Sequence, residues 1–171
     1  SKPLFPDRYA TSPFIYEAIA QSFAINPDKP VMVLTGPNSS GKTVLMFNSY
    51  ANSILALSGN YVSGDLVSSR FRRIHRFFGG HDDISQGESY FLNILRRYGT
   101  ILNEVGAGDL VILDELHGTD NFELAAIQLA VLHYLRSTGA TVIFNTHVRD
   151  GIKELDQKIG LDVWQTDVDF N

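Results

Sequence analysis

The chain has 171 residues, 44% of them apolar, which is enough for the core of one α/β-sized domain and too many for a disordered segment. Fourteen Lys and Arg stand against 19 Asp and Glu, a net charge of −5, so a nucleic-acid clamp acting through bulk positive charge is disfavoured. Cysteine is absent, which excludes a disulfide framework, a Cys-ligated zinc and a thiol nucleophile, and makes the reducing cytoplasm the expected compartment.

Along the chain, Ser12-Pro13 followed by Phe14, Ile15, Ala18, Ile19 and Phe23 at helical spacing predicts a helix over residues 13–25. Val31-Met32-Val33-Leu34-Thr35, bounded by Pro30 and Gly36, reads as a strand buried on both faces. Residues 42–57 lack Gly and Pro, and Val44, Leu45, Phe47, Ala51, Ile54 and Leu55 predict a broad apolar helix face ending near Gly59. We read residues 59–80 as irregular. They carry one basic cluster, Arg70, Arg72, Arg73 and Arg76 with His75, flanked by Phe71, Phe77 and Phe78, which is read as a solvated face with its aromatics turned to the core in preference to a DNA contact. A helix is expected over residues 88–105 and a second buried strand over 109–113. Leu124, Ile127, Val131, Tyr134 and Leu135 then mark a helix stopped by Gly139, and a third strand covers 140–145.

Strands alternating with helices of this length predict right-handed crossovers and an α/β fold, a mainly parallel β-sheet flanked by helices. No internal repeat, low-complexity tract or interdomain linker divides residues 1–171, so a single domain is expected. No stretch reaches the ~18 to 20 apolar residues that span a bilayer, and Ser1-Lys2-Pro3-Leu4 lacks the apolar run of a signal peptide, so no membrane partner is expected. The chain lacks an initial methionine, and Asp167 to Asn171 carry no cap or tail signature; we expect a fragment of a larger polypeptide.

Gly36-Pro37-Asn38-Ser39-Ser40-Gly41-Lys42-Thr43 matches G-x-x-x-x-G-K-[ST] between a predicted strand and a predicted helix, the setting that motif requires. Glycines let backbone N–H groups converge on phosphate oxygens, and the helix N-terminus adds partial positive charge. Lys42 would bridge the β- and γ-phosphates of ATP, Thr43 would offer its hydroxyl to Mg²⁺, and the Asn38 amide would bond phosphate or hold the loop. Tyr9, Phe14 or Tyr16 upstream would reach adenine, though core packing is the favoured role for all three.

Asp114-Glu115 closes the strand 109–113, placing two carboxylates where the C-terminal ends of parallel strands face a ligand crevice. Asp114 is the expected Mg²⁺ partner, through water, and Glu115 the general base that readies the water attacking the γ-phosphate. Phe144-Asn145-Thr146-His147 ends the next strand on the same rim, where His147 would bond the γ-phosphate or the attacking water.

The order of these motifs, with Thr35-Gly36-Pro37-Asn38 opening the loop, Asp82-Asp83-Ile84-Ser85-Gln86-Gly87-Glu88-Ser89-Tyr90-Phe91 between, and Asp114-Glu115-Leu116 and Thr146-His147 after, resembles the ATPase domain of MutS proteins over roughly residues 30–155. The resemblance implies a P-loop NTPase fold of the ABC-ATPase type whose two copies sandwich nucleotide, with Gly87 and Ser89 of one completing the site of the other. Ser89 near a helix start is suited to this, since hydroxyl, N–H groups and helix dipole can all address a γ-phosphate. Ser40 stands where the family often has glycine and Tyr90 where it often has threonine; Asp120, after a short His117-Gly118-Thr119 turn, is expected near the partner.

The expected function is ATP binding and hydrolysis in a MutS-like DNA-repair protein that works as a homodimer or with a MutS-like partner. Mismatch-reading and clamp segments are absent from the chain, so DNA would be held by other domains of a longer protein. The alternatives are an ABC-type ATPase of a transporter or chromosome-structuring complex, and a nucleotide-binding interaction module with little turnover.

Overall fold

A computed structural model describes residues 24–26, 28–37, 40–63, 71–77, 90–114, 121–146, 152–153, 156–158 and 160–165. The elements in chain order are β1 (Val31–Thr35), α1 (Lys42–Leu57), β2 (Ile74–Phe77), α2 (Tyr90–Glu104), β3 (Leu110–Leu113), α3 (Asn121–Thr138), β4 (Thr141–Asn145) and β5 (Asp162–Gln165). The strands form one sheet in the order β2-β3-β4-β1-β5, and every neighbouring pair is parallel. The α/β architecture expected from alternating strands and helices is therefore present.

Strand alternation separates two cores. Val31, Val33, Val111, Leu113, Val142 and Phe144 face one way and pack with Tyr98 and Ile101 of α2 and Val131, Leu132 and Leu135 of α3. Met32, Leu34, Leu110, Ile112 and Ile143 face the other way and meet Leu45 and Met46 of α1, with Ile25, Phe71 and Trp164. Helices thus cover both faces, which explains why the three central strands are apolar at successive positions rather than at alternate ones.

Several expectations need correction. The stretch 59–80, read as irregular, contains β2, an edge strand whose Ile-His-Arg-Phe sequence is mostly half-buried or exposed and so lacks an apolar run. Strand β5 was likewise not anticipated; among the described residues it pairs with β1 alone, and Val163 lies 43% exposed. The buried face of α1 is not the large apolar one: Leu45 and Met46 are buried, but so are Asn48, Ser49, Asn52 and Ser53, whereas Phe47 and Ile54 are exposed. Small side chains let α1 approach the sheet, and the Asn52 side chain exchanges two hydrogen bonds with the Ser63 backbone, at 3.1 and 3.0 Å. In α3, Tyr134 leaves the core face and instead donates from its hydroxyl to the Leu102 carbonyl of α2 at 3.2 Å. Of the helix expected over 13–25, residues 13–23 lie outside the described residues, and Ala24 and Ile25 are not helical.

Where it is described, the basic cluster turns its aromatics to the core as expected, but its basic side chains also make contacts within the domain and His75 is nearly buried. Phe71 and Phe77 are buried, and the Arg76 guanidinium lies 5.0 Å from the Tyr50 ring centroid, tying β2 to α1. Arg72 and Arg73 converge with His75 on Asp109 at the N-terminal rim of the sheet. The Asp109 side chain is fully buried and accepts from Arg72 Nε at 3.1 Å, the Gly106 N–H at 3.0 Å and His75 Nε2 at 3.2 Å. Burial acts to raise the Asp109 pKa, but the Arg72, Gly106 and His75 donors and the Arg72 charge outweigh it and hold the group below its usual value. Among the described residues no helix is long and apolar enough to cross a membrane.

These contacts make Asp109 the brace between β2 and β3. Asp109→Asn would turn an acceptor oxygen into a second donor facing donors, and a loss of about 2 kcal/mol of unfolding free energy near pH 7 is expected in urea titrations. A carboxylate whose folded pKa is depressed stabilises above its unfolded pKa, and this contribution disappears as pH falls through the folded value. The gap between wild type and variant is therefore expected to narrow below pH 3.8, the ordinary value for this side chain.

Candidate functional site

The loop after β1 is shaped by two backbone positions that favour glycine. Gly36 has φ +147° and Gly41 has φ +83°, and Gly41 serves as the N-cap of α1 without any side-chain cap bond. The first helical bond runs from the Leu45 N–H to the Gly41 carbonyl at 2.9 Å, so helix geometry leaves the N–H groups of Lys42, Thr43 and Val44 without intrahelical acceptors. Lys42 is 95% buried, its side-chain stem running back under the loop. Its ammonium donates to the Gly36 carbonyl at 2.8 Å and the Pro37 carbonyl at 2.6 Å. The Ser40 N–H adds a longer bond of 3.4 Å to Pro37, and the Thr43 side chain is exposed.

Asp114 follows β3 directly, and its N–H donates to the Phe77 carbonyl at 2.7 Å, continuing the β2–β3 ladder. Its Oδ1 accepts a 2.7 Å bond from Nδ2 of Asn145, the last residue of β4. On the other side Asn145 is in register with Leu34, and the Thr146 N–H donates to the Leu34 carbonyl at 3.1 Å. Thr146 Oγ1 in turn donates to Gln128 Oε1 of α3 at 2.7 Å. Asn145 Oδ1 and Gln128 Nε2 are buried without a hydrogen-bond partner among the described residues, a cost of roughly 1–3 kcal/mol for each such group. Beneath this rim the Tyr98 ring packs on Phe77 with centroids 4.7 Å apart. Burial, and then the Asp114 charge, push its phenol well above the usual range.

Gly36, Pro37, Ser40, Gly41, Lys42 and Thr43 therefore lie on the same rim of the sheet as Asp114, with only β4 between their strands. Among the described residues no group of three or more His, Cys, Asp or Glu is placed to hold a metal ion. Asn38, Ser39, Gly87, Ser89, Glu115, Asp120, His147 and the upstream aromatics Tyr9, Phe14 and Tyr16 lie outside the described residues. Asn145, Gln128 and Tyr98 were not anticipated as members of this rim. For Asn145 the available signal was an amide ending an otherwise apolar strand; its link to Asp114 depends on the β3–β4 register and has no local signature.

A profile of MutS domain V matches residues 32–169. The chain is 30% identical to the Endonuclease MutS2 of Thermus thermophilus over 177 residues, covering 95% of the chain and 24% of that protein. It is 33% identical to the Endonuclease MutS2 of Acetivibrio thermocellus over 128 residues, covering 73% of the chain and 16% of that protein. The chain thus spans less than a quarter of the length of either relative. With the MutS domain V profile extending over nearly all of β1 to β5, this chain belongs to the MutS family.

Proposed function

We propose that this domain binds and hydrolyses ATP with Mg²⁺ as the motor of a MutS-like DNA-repair protein. The observation that carries the reading is the placement of the Gly36–Thr43 loop and Asp114 on one rim, one strand apart, with Gly41 in the left-handed conformation that an anion-binding nest uses. Membership of the MutS family supports this over a transporter or chromosome-structuring ATPase. The fold would be a P-loop NTPase of the ABC type, and two copies, or this chain and a MutS-like partner, would close on nucleotide.

The donors at the rim suit a hard divalent cation. They are oxygens: the Asp114 carboxylate, the Thr43 hydroxyl and the buried Asn145 Oδ1 that has no partner among the described residues. Bound Mg²⁺ would neutralise charge on the β- and γ-phosphate oxygens. Lys42 would turn its ammonium from the loop carbonyls toward those oxygens, while the N–H groups of the first turn of α1 bind the phosphates from behind. Glu115 would take a proton from water as the water oxygen forms its bond to the γ-phosphorus and the bond to the β-phosphate oxygen breaks. His147 would hydrogen-bond the γ-phosphate, and Gly87 and Ser89 of the second copy would complete the site. DNA would be held by regions outside this chain, and closing and reopening of the dimer would move them.

Three substitutions test the reading. Lys42→Ala removes charge-assisted bonds worth roughly 1.5–3 kcal/mol and is expected to weaken ATP about 10- to 100-fold in calorimetric titration, with melting curves confirming the fold. Unchanged affinity would count against the loop as the phosphate site. Glu115→Gln should leave ATP binding intact and lower steady-state turnover about a hundredfold or more; equal rates in both proteins would reduce the domain to a binding module. Ser89→Ala should weaken ATP-dependent dimerisation in sedimentation velocity runs while sparing ATP binding by the monomer. Identical sedimentation of variant and wild type would remove the role of Ser89 in the partner's site.

A further inference from the structure

Asn145 is 96% buried and sits between the strand that leads into the phosphate loop and the strand that ends in Asp114. Its amide has one favourable orientation. A carboxylate beside it only accepts, so Nδ2 must face Asp114 Oδ1, as it does at 2.7 Å, and Oδ1 is the end turned away. That Oδ1 is buried and has no partner among the described residues. An amide oxygen is repelled by phosphate oxygens, so it fits a species that carries protons. The Lys42 ammonium already donates to the Gly36 and Pro37 carbonyls.

We propose that Asn145 is a positioning residue for the metal: Nδ2 fixes the Asp114 carboxylate, and Oδ1 accepts a hydrogen bond from a water of the hydrated Mg²⁺ that accompanies ATP. This rests on the reading of the rim as a Mg²⁺·ATP site. It assigns a role to a side chain on the strand between loop and carboxylate, where the two arms of the amide do different work. The donor arm sets the angle at which Asp114 meets the hydrated ion, and the acceptor arm removes the cost of its own burial only when such a water is bound.

The test is the binding of a nonhydrolysable ATP analogue to the 171-residue chain, by calorimetry, in excess Mg²⁺ and in EDTA. The quantity read is the factor by which the metal tightens binding. In Asn145→Leu, close in shape but without either arm, this factor is expected to fall about tenfold while affinity in EDTA stays at the wild-type value. Asn145→Ala should behave alike and serves in its place if the leucine variant fails to fold. Asn145→Asp keeps the acceptor oxygens but loses the donor arm to Asp114, so its factor is expected to lie between those of wild type and the leucine variant, whereas a mere brace on Asp114 would leave it no better than leucine. Wild-type metal enhancement in the leucine or alanine variant, or an aspartate variant that falls with them, overturns the proposal and leaves the nucleotide site standing. A wild-type chain that binds no analogue under either condition overturns the nucleotide reading, and the role of Asn145 with it.

Discussion

Parallel pairing across β3, β4 and β1 is the constraint on which the site depends. Because Leu34 is in register with Asn145, and Leu113 with Phe144, the three strands end at one level and release their chains on one side of the sheet. The Gly36–Thr43 loop, the β4 amide and the β3 carboxylate are neighbours for that reason alone, although they come from positions more than 70 and 100 residues apart in the case of the loop. An antiparallel partner at β4 would send Asn145 to the opposite rim, and no local motif would bring it back.

The two rims of the sheet treat their carboxylates differently. At the N-terminal rim Asp109 is enclosed by arginine, histidine and backbone donors, and its demand for hydrogen bonds is met inside the domain. At the C-terminal rim Asp114 accepts from Asn145, whose own acceptor has no partner among the described residues, and the Gln128 Nε2 donor likewise has none there. Buried polar atoms without a partner among the described residues also occur on α1 and at the end of α3, but Asn145 Oδ1 is the one on the side chain bonded to Asp114.

What the sequence made legible follows from burial. β1, β3 and β4 are covered on both faces, so each is an apolar run that can be recognised without a partner, and the phosphate-loop motif is local because consecutive amides build it. β2 and β5 are edge strands carrying Arg, His and Asp, and their pairing was invisible because it is written in the neighbouring strand. The α1 face was misread for a related reason: spacing alone places Phe47 and Ile54 toward a core, but a closely packed helix meets its sheet through serine and asparagine. At the site, Lys42 and Asp114 were legible as motif residues, whereas Asn145 and Tyr98 acquire their places through strand register and helix packing.

The intervening strand also sets how far apart the phosphate loop and the Asp114 carboxylate begin on one rim. Neighbouring strands lie ~4.8 Å apart, so β4 separates the backbones of β1 and β3 by about 10 Å. At the loop end the Lys42 ammonium donates to two carbonyls, and at the other end Asp114 accepts from Asn145. A triphosphate carries several negative charges and arrives with its own cation, and it is the kind of ligand that both ends could engage at once. The phosphates would draw the ammonium out of the loop, and the hydrated metal would meet Asp114 and the bare oxygen of Asn145. Placing β4 between the loop and the carboxylate opens a span of the length that a triphosphate with its metal would bridge.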